Sequence, residues 1–387
     1  MKFSHLADCH LGSWRQPELQ ALNLKNFEEA IDKSIKERVD FVLITGDLFD
    51  SAYPGIEVLE ETFLQLKKLK DSGISCFYIA GSHDYSASGK TFLSVLEKAG
   101  FCQNVFVPEE RENNIILNPV IFKEVALYGY PGKKSGMEIE ELKKVKLQDS
   151  PGFFKILALH TSLKKAIGNL PIDSVEEDNL PKADYYALGH LHIDYMDGKF
   201  VYAGPTFPSN FQELEELKQG SFYLVNTQPF HIKKMLLGDK KPEFIEIEIF
   251  NALTATDKII SELKKHNIQD KIVLLKLFGK LSQGKISNID FKKIEDFAKE
   301  KQAYVLIKNI SKLITEEPEF KIDVENMDKL EDEIIKKYCL DKQSKFNNLI
   351  MSLIHSLSIE KQEDETSTAF SARLYNELAK LIQTLKC

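Results

Sequence analysis

The chain has 387 residues, 43% of them hydrophobic and 28% charged, with a formal net charge of −8. That length exceeds a single compact core in most folds and predicts two or three domains of globular composition, while the acidic balance argues against a protein that coats nucleic acid by bulk attraction. No apolar run approaches the ~20 residues that span a bilayer, so no membrane association is expected; the opening segment does not read as a signal peptide; and five cysteines without CxxC pairing point to a reducing cytoplasm rather than a disulfide framework or zinc ribbon.

Residues 1–105 alternate strand and helix. "FSHLA" opens as a strand, and a helix is expected over 23–37. "VDFVLITGD" reads as a buried strand. A second helix is expected over 56–71, with Ile56, Leu59, Phe63, Leu66 and Leu69 spaced along one face. "ISCFYIAG" is a third strand, and 89–99 a third helix. This order implies parallel strands covered by helices. Strands follow at 115–128, 153–159, 184–188, 199–203 and 221–225, where helices thin out and a second layered sheet is implied. The first domain is expected to occupy 1–235. Residues 240–315 read as a small α+β unit: "EFIEIEIF", "KIVLLKLFG" and "AYVLIKN" are strands, with one helix near 288–301. Residues 316–326, containing Pro318, read as a linker. Helices are expected over 327–338, 342–358 and 367–386, the last two carrying apolar stripes.

The strands of the first domain end in residues able to bind metal. The first leads to Asp8 and His10, two residues apart, which strand alternation would send to one side. The second ends at "GDLFD", giving Asp47 and Asp50. The third ends at "GSHD", giving Ser82, His83 and Asp84. Later strands end at His160 and at "GHLH", giving His190 and His192. One end of the sheet is where ligands gather in layered α/β folds. Mixed carboxylate and imidazole donors without thiolate suit manganese, iron or zinc and are too rich in histidine for calcium. The donors are too many for one ion. Two ions ~3.5–4 Å apart serve in-line displacement at phosphorus.

The series DxH, GDxxD, GxHD, a lone His and GHxH resembles the calcineurin-like metallophosphoesterases. "HLADCHLG", "LITGDLFD", "LGHLH" and "YAGPTFPSNFQELEE" are similar to the nucleases of DNA double-strand-break repair, the archaeal Mre-eleven and bacterial SbcD type. The resemblance implies a two-sheet β sandwich flanked by helices, with a small α+β capping domain at 240–315 and C-terminal helices at 327–387. It implies a nuclease using two divalent ions, most readily Mn2+, at DNA ends. Asp8, His10 and His192 would hold one ion, Asp47 would bridge, and His160 and His190 would hold the second. His83 would stand beside the scissile phosphate, supported by Asp50. The family usually reads GNHD, so Ser82 replaces an Asn ligand, and weaker binding of the second ion is expected. The resemblance further implies a homodimer through the helices at 56–71 and 89–99, and a Rad-fifty-type SMC-like ATPase partner. That partner would dock on the C-terminal helices through Leu349, Ile350, Leu353, Ile354, Leu374 and Leu378. A cytoplasmic, nucleoid-associated location goes with that role.

Plainer readings stand beside these. His5 is expected to pack within its strand, Cys9 to be a small buried residue, and Asp84 to serve its own loop. His231, His266 and His355 fit no pattern. Eight lysines lie between 133 and 165, and Lys164 and Lys165, near His160, are candidates for phosphate contact, against the reading of a solvated face. Two other functions compete with the nuclease. One is a general metallophosphoesterase on small phosphodiesters, disfavoured by the extra domains. The other is a catalytically weak scaffold that tethers DNA ends, motivated by Ser82.

Overall fold

The computed structural model describes residues 1–315, apart from 85, 87–90, 134–135 and 169. In the C-terminal part it describes 353, 356–359, 361–362 and 365–383. Residues 1–315 form one compact unit and 316–387 a second.

Two six-stranded sheets build the larger unit. In the first, the order is Phe230–Leu237, Gly220–Thr227, Lys2–Leu6, Phe41–Thr45, Ser75–Ile79 and Gln103–Asn104. Its last four strands run parallel, and Gly220–Thr227 joins them antiparallel. In the second, the order is Tyr195–Asp197, Phe200–Tyr202, Tyr185–Gly189, Phe154–His160, Val125–Tyr130 and Val120–Phe122, again with a parallel centre and antiparallel edges.

Alternation explains how the sheets pack. Phe3, Phe41, Phe77 and Ile79 point inward from the first sheet, and Leu127, Ile156, Ala158 and Tyr185 from the second, into one buried layer. The opposite face of the first sheet packs Leu6, Val42 and Ile44 against Phe27 and Ile31 of helix Pro17–Lys36 and Leu66 and Leu69 of helix Ile56–Asp71. This is an α/β architecture of mixed sheets flanked by helices, the one that the family resemblance of the sequence implies. Within each sheet the parallel strands run the same way, so their C-terminal ends present their loops along one edge.

Residues 242–315 depart from expectation in one respect. Strands Pro242–Glu248, Ile272–Leu281 and Val305–Thr315 form a wholly parallel sheet, so each connection must cross over. There are accordingly two helices, Ala252–Leu263 and Phe291–Glu300, where one was expected. This cap has its own core around Ile245, Ile259, Leu275 and Ile294. It also shares a smaller core with the phosphoesterase part, where Ile272, Leu274 and Ile307 meet Leu19, Leu22, Phe207 and Leu214.

In the C-terminal unit the helix Ser367–Gln383 is described, and Leu374 and Leu378 on it are half-buried, as is Leu353. Leu349, Ile350 and Ile354, the proposed linker 316–326 and the helix expected at 327–338 lie outside the described residues, as does most of the helix expected at 342–358. No helix among the described residues is long and apolar enough to cross a membrane.

Candidate metal centre

Five loops following the parallel strands bring the polar residues together. The first strand stops at Leu6, and Asp8 and His10 take left-handed backbone conformations, with φ of 48° and 42°. Their convergence therefore comes from a tight loop, not from the strand alternation expected from sequence. The loop is pinned by Asp8 N–H to the Gly46 carbonyl (3.1 Å) and His10 N–H to the Asp47 carbonyl (2.9 Å). Asp47, His190 and His192 also have positive φ, at 50°, 102° and 51°. Left-handed backbone is unfavourable for residues with a Cβ, and its concentration at five candidate ligands marks a functional constraint on the loops.

Donor atoms of Asp8, His10, Asp47 and His192 all lie within 4.8 Å of one another, as do those of His10, Asp50 and His83. The Nε2 atoms of His10 and His192 are 2.8 Å apart. Asp47 faces two ways: Oδ1 accepts the His83 N–H (2.7 Å), and Oδ2 lies 3.1 Å from His160 Nε2 and 3.6 Å from His10 Nε2. Asp8 accepts the His190 N–H at 2.9 Å. His160 donates through Nδ1 to the Thr45 carbonyl (3.0 Å), which turns Nε2 into the site. His160 and His190 join Asp47 in no equally tight donor group among the described residues. Ser82 Oγ lies 3.4 Å from Asp47 Oδ2.

The donors fit divalent ions. His160 Nε2 is buried and faces the Asp47 carboxylate, and the carboxylates and imidazoles are the set that manganese, iron or zinc accept. Small residues keep the pocket open. A Cβ at Gly81 would come within 2.1 Å of Asp47 Oδ1, and one at Gly46 within 2.1 Å of His160 Nδ1.

Burial works against charge here, yet partners overcome it. Burial alone would raise the Asp47 carboxyl, but the charges of His160 and His10 hold it far below the usual carboxylate range. Burial opposes protonation of His160 and His192, but Asp47 raises the first to about 9 and the hydrogen bond from His192 to Glu213 raises the second to about 9. His190 moves the other way, to about 4, through burial and then the charge of His160, and so stays neutral.

The remaining residues sort by contact. His83 is exposed, and its Nδ1 meets the Asp50 main-chain carbonyl at 2.8 Å. The Asp50 carboxylate, 3.9 Å from His83, is closer to His10 Nδ1, at 3.2 Å. The support expected for His83 thus comes from the Asp50 backbone. Asp84 accepts from the Gly81, Leu48 and Phe49 amides and serves its loop; burial, then Asp47, raises it to about 6. His5 is buried between Tyr185 and Thr45, and Cys9 is buried. His231 is exposed, His266 pairs with Glu243, and His355 lies outside the described residues. Much of the lysine run is neutralised: Lys133 pairs with Glu141, Lys143 with Glu140, Lys155 with Asp149 and Lys165 with Asp197. Lys164 opens the single turn Lys164–Ile167.

Glu213 is absent from the sequence-based set. It accepts from His192 Nδ1 at 2.9 Å and starts from an Asn210 cap, whose Oδ1 accepts the Glu213 N–H at 3.0 Å. The "SNFQE" spacing, with an N-cap Asn three residues before a Glu, would have marked the helix start but not the contact.

This fold and these paired donors define a phosphoester hydrolase that uses metal ions. The chain belongs to the calcineurin-like phosphoesterase family, whose model matches residues 1–194. It is 27% identical over 267 residues to the DNA double-strand break repair protein Mre11 of Archaeoglobus fulgidus, covering 64% of this chain and 59% of that protein. It is 29% identical to the protein of the same name from Methanocaldococcus jannaschii, covering 92% of this chain and 94% of the relative. It is also 28% identical to an uncharacterized metallophosphoesterase, YhaO, of Bacillus subtilis, over 58% of this chain and 57% of that protein. The chain thus spans under two thirds of the Archaeoglobus and Bacillus relatives.

Proposed function

We propose that this chain is a two-metal nuclease of DNA ends, working in a break-repair assembly with an SMC-like ATPase. The observation that carries the reading is the convergence of Asp8, His10, Asp47 and His192 donors within 4.8 Å, with Asp50 and His83 adjoining them. The names of the Mre11 relatives, one of them matched over 92% of this chain, support DNA as the substrate.

In this reading Asp8, His10 and His192 would hold one cation and His160 and His190 a second, with Asp47 available to both and Ser82 nearby. Divalent ions bound there, Mn2+ by preference, supply Lewis acidity that neutralises charge on the phosphoryl oxygens. The exposed His83 has Nδ1 committed to the Asp50 carbonyl. Its Nε2 is then the ring atom left for the substrate, to stabilise the phosphate or pass a proton to the leaving oxygen. The cap, braced on the phosphoesterase part, limits access and helps position DNA. Lys164 is the better candidate of its pair for phosphate contact, since Lys165 is tied to Asp197.

The test is Mn2+-dependent degradation of linear duplex DNA, set beside hydrolysis of a small phosphodiester. Asp47→Asn is expected to lower DNA cleavage by roughly a hundredfold or more, since it weakens both ions at once. Small-diester hydrolysis without DNA cleavage would favour the general phosphoesterase, and DNA binding with neither activity would favour the scaffold.

A further inference from the structure

His10 and His192 meet at their Nε2 atoms, and each has a carboxylate at its far nitrogen. Asp50 Oδ1 stands 3.2 Å from His10 Nδ1, and Glu213 Oε1 stands 2.9 Å from His192 Nδ1. A carboxylate at that position fixes the ring's tautomer and rotation, so that the opposite nitrogen is the one presented to a metal. Glu213 is itself firmly held. Its Oε2 accepts the Ser209 N–H at 2.7 Å, its Oε1 accepts from Asn210 Nδ2 at 2.5 Å, and its own N–H is capped by Asn210 Oδ1. It is half-buried, with its side chain 15% exposed. Glu213 sits on helix Phe211–Leu217, whose Leu214 lies in the core shared with the cap, and Glu215 of the same helix lies 3.4 Å from Lys276 of the cap.

We propose that Glu213 is a positioning residue for the metal centre, holding the His192 ring so that Nε2 meets the point faced by His10, Asp8 and Asp47. The inference rests on the metal-site reading above. It adds that one ligand's geometry is set from a helix braced against the cap.

The experiment is Mn2+ titration by calorimetry on the full chain, with the metal-free melting temperature measured for each variant. Glu213→Ala is expected to weaken the tighter site by roughly 10–100-fold. Glu213→Asp keeps the charge but withdraws it by one methylene, and is expected to weaken the site as well. Glu213→Gln, whose amide oxygen still accepts from Nδ1 while its NH2 replaces the acceptor of the Ser209 N–H, is expected to keep more affinity than either the Ala or the Asp variant. Glu216→Ala, on the exposed side of the same helix, is expected to leave it unchanged. Should Glu213→Ala not fold, the contrast between the Asp and Gln variants decides. Wild-type affinity in the Ala or Asp variant, or equal loss in Gln and Asp, overturns this inference alone. A wild-type chain that binds no Mn2+ overturns the metal-site reading and this inference with it.

Discussion

At the scale of single residues, protons compete with metal. His160 and His192 remain protonated up to about pH 9 in the protein alone, held there by Asp47 and Glu213 against the effect of burial. Each must lose its proton to ligate. Mn2+ affinity is therefore expected to rise as pH increases from about 6 to about 9, with proton release detectable by calorimetry in buffers of different ionisation enthalpy. An affinity constant across that range would defeat this account. His5 acts in the opposite sense. Burial lowers it from 6.5 to about 3, so the unfolded chain takes up a proton there at a pH where the folded chain does not. Stability is intact above about pH 6.5 and falls below it, by about 2 kcal/mol from this group at about pH 5. His5→Asn is expected to flatten the pH dependence of urea unfolding measured in chelator. The types and order of Asp8, His10, Asp47, His160, His190 and His192 were legible in the sequence, because each follows a recognisable apolar strand. The link between Asp50 and His10 was not, since Asp50 has both rings within reach and only packing selects one.

Elements differ in how plainly their limits are written. Helix Ile56–Asp71 has the limits its apolar spacing predicts, although Ile56 at its start turns to the surface, whereas helix Pro17–Lys36 begins six residues before the periodic stretch from which it was read. Pro17 at its first turn was the available signal. Helix Ala252–Leu263 went unread although Ala252, Ala255, Ile259 and Leu263 are all buried along one face and Asn251 caps it. Helix Phe211–Leu217 is too short for periodicity to identify. On helix Ile56–Asp71, Ile56 and Leu64 leave 74% and 57% of their surface exposed, and Val95 on helix Phe92–Lys98 leaves 46%. These are the apolar positions through which the homodimer implied by the family resemblance would have to pair, and they are where it can be tested. Leu64→Glu is expected to shift light scattering from dimer to monomer without changing the secondary structure. A wild-type chain already monomeric at working concentration would remove the dimer.

The molecule as a whole divides by what its parts carry. The division at residues 315 and 316 separates the unit that carries the metal centre from the C-terminal unit. If the C-terminal helices dock the ATPase, truncation at residue 325 is expected to abolish that binding while Mn2+-dependent cleavage persists. Retained binding by the truncated chain would show that the docking site lies elsewhere. The cap belongs to the other side of that division, because its Ile272, Leu274 and Ile307 complete a core with Leu19 and Phe207.

The donor types, their order after successive strands, and the alternation that turns one side of each strand inward are written in the residues alone. These are local properties, carried by residues a few positions apart. Tertiary structure decided which donors meet: His10 with His192, 182 residues away, and His160 with the Thr45 carbonyl, 115 residues away. It also chose Asp50 for His10 and Glu213 for His192. Those pairings depend on how loops from separate sheets pack, and a hydrogen bond that fails at a few tenths of an ångström is fixed only once that packing is complete.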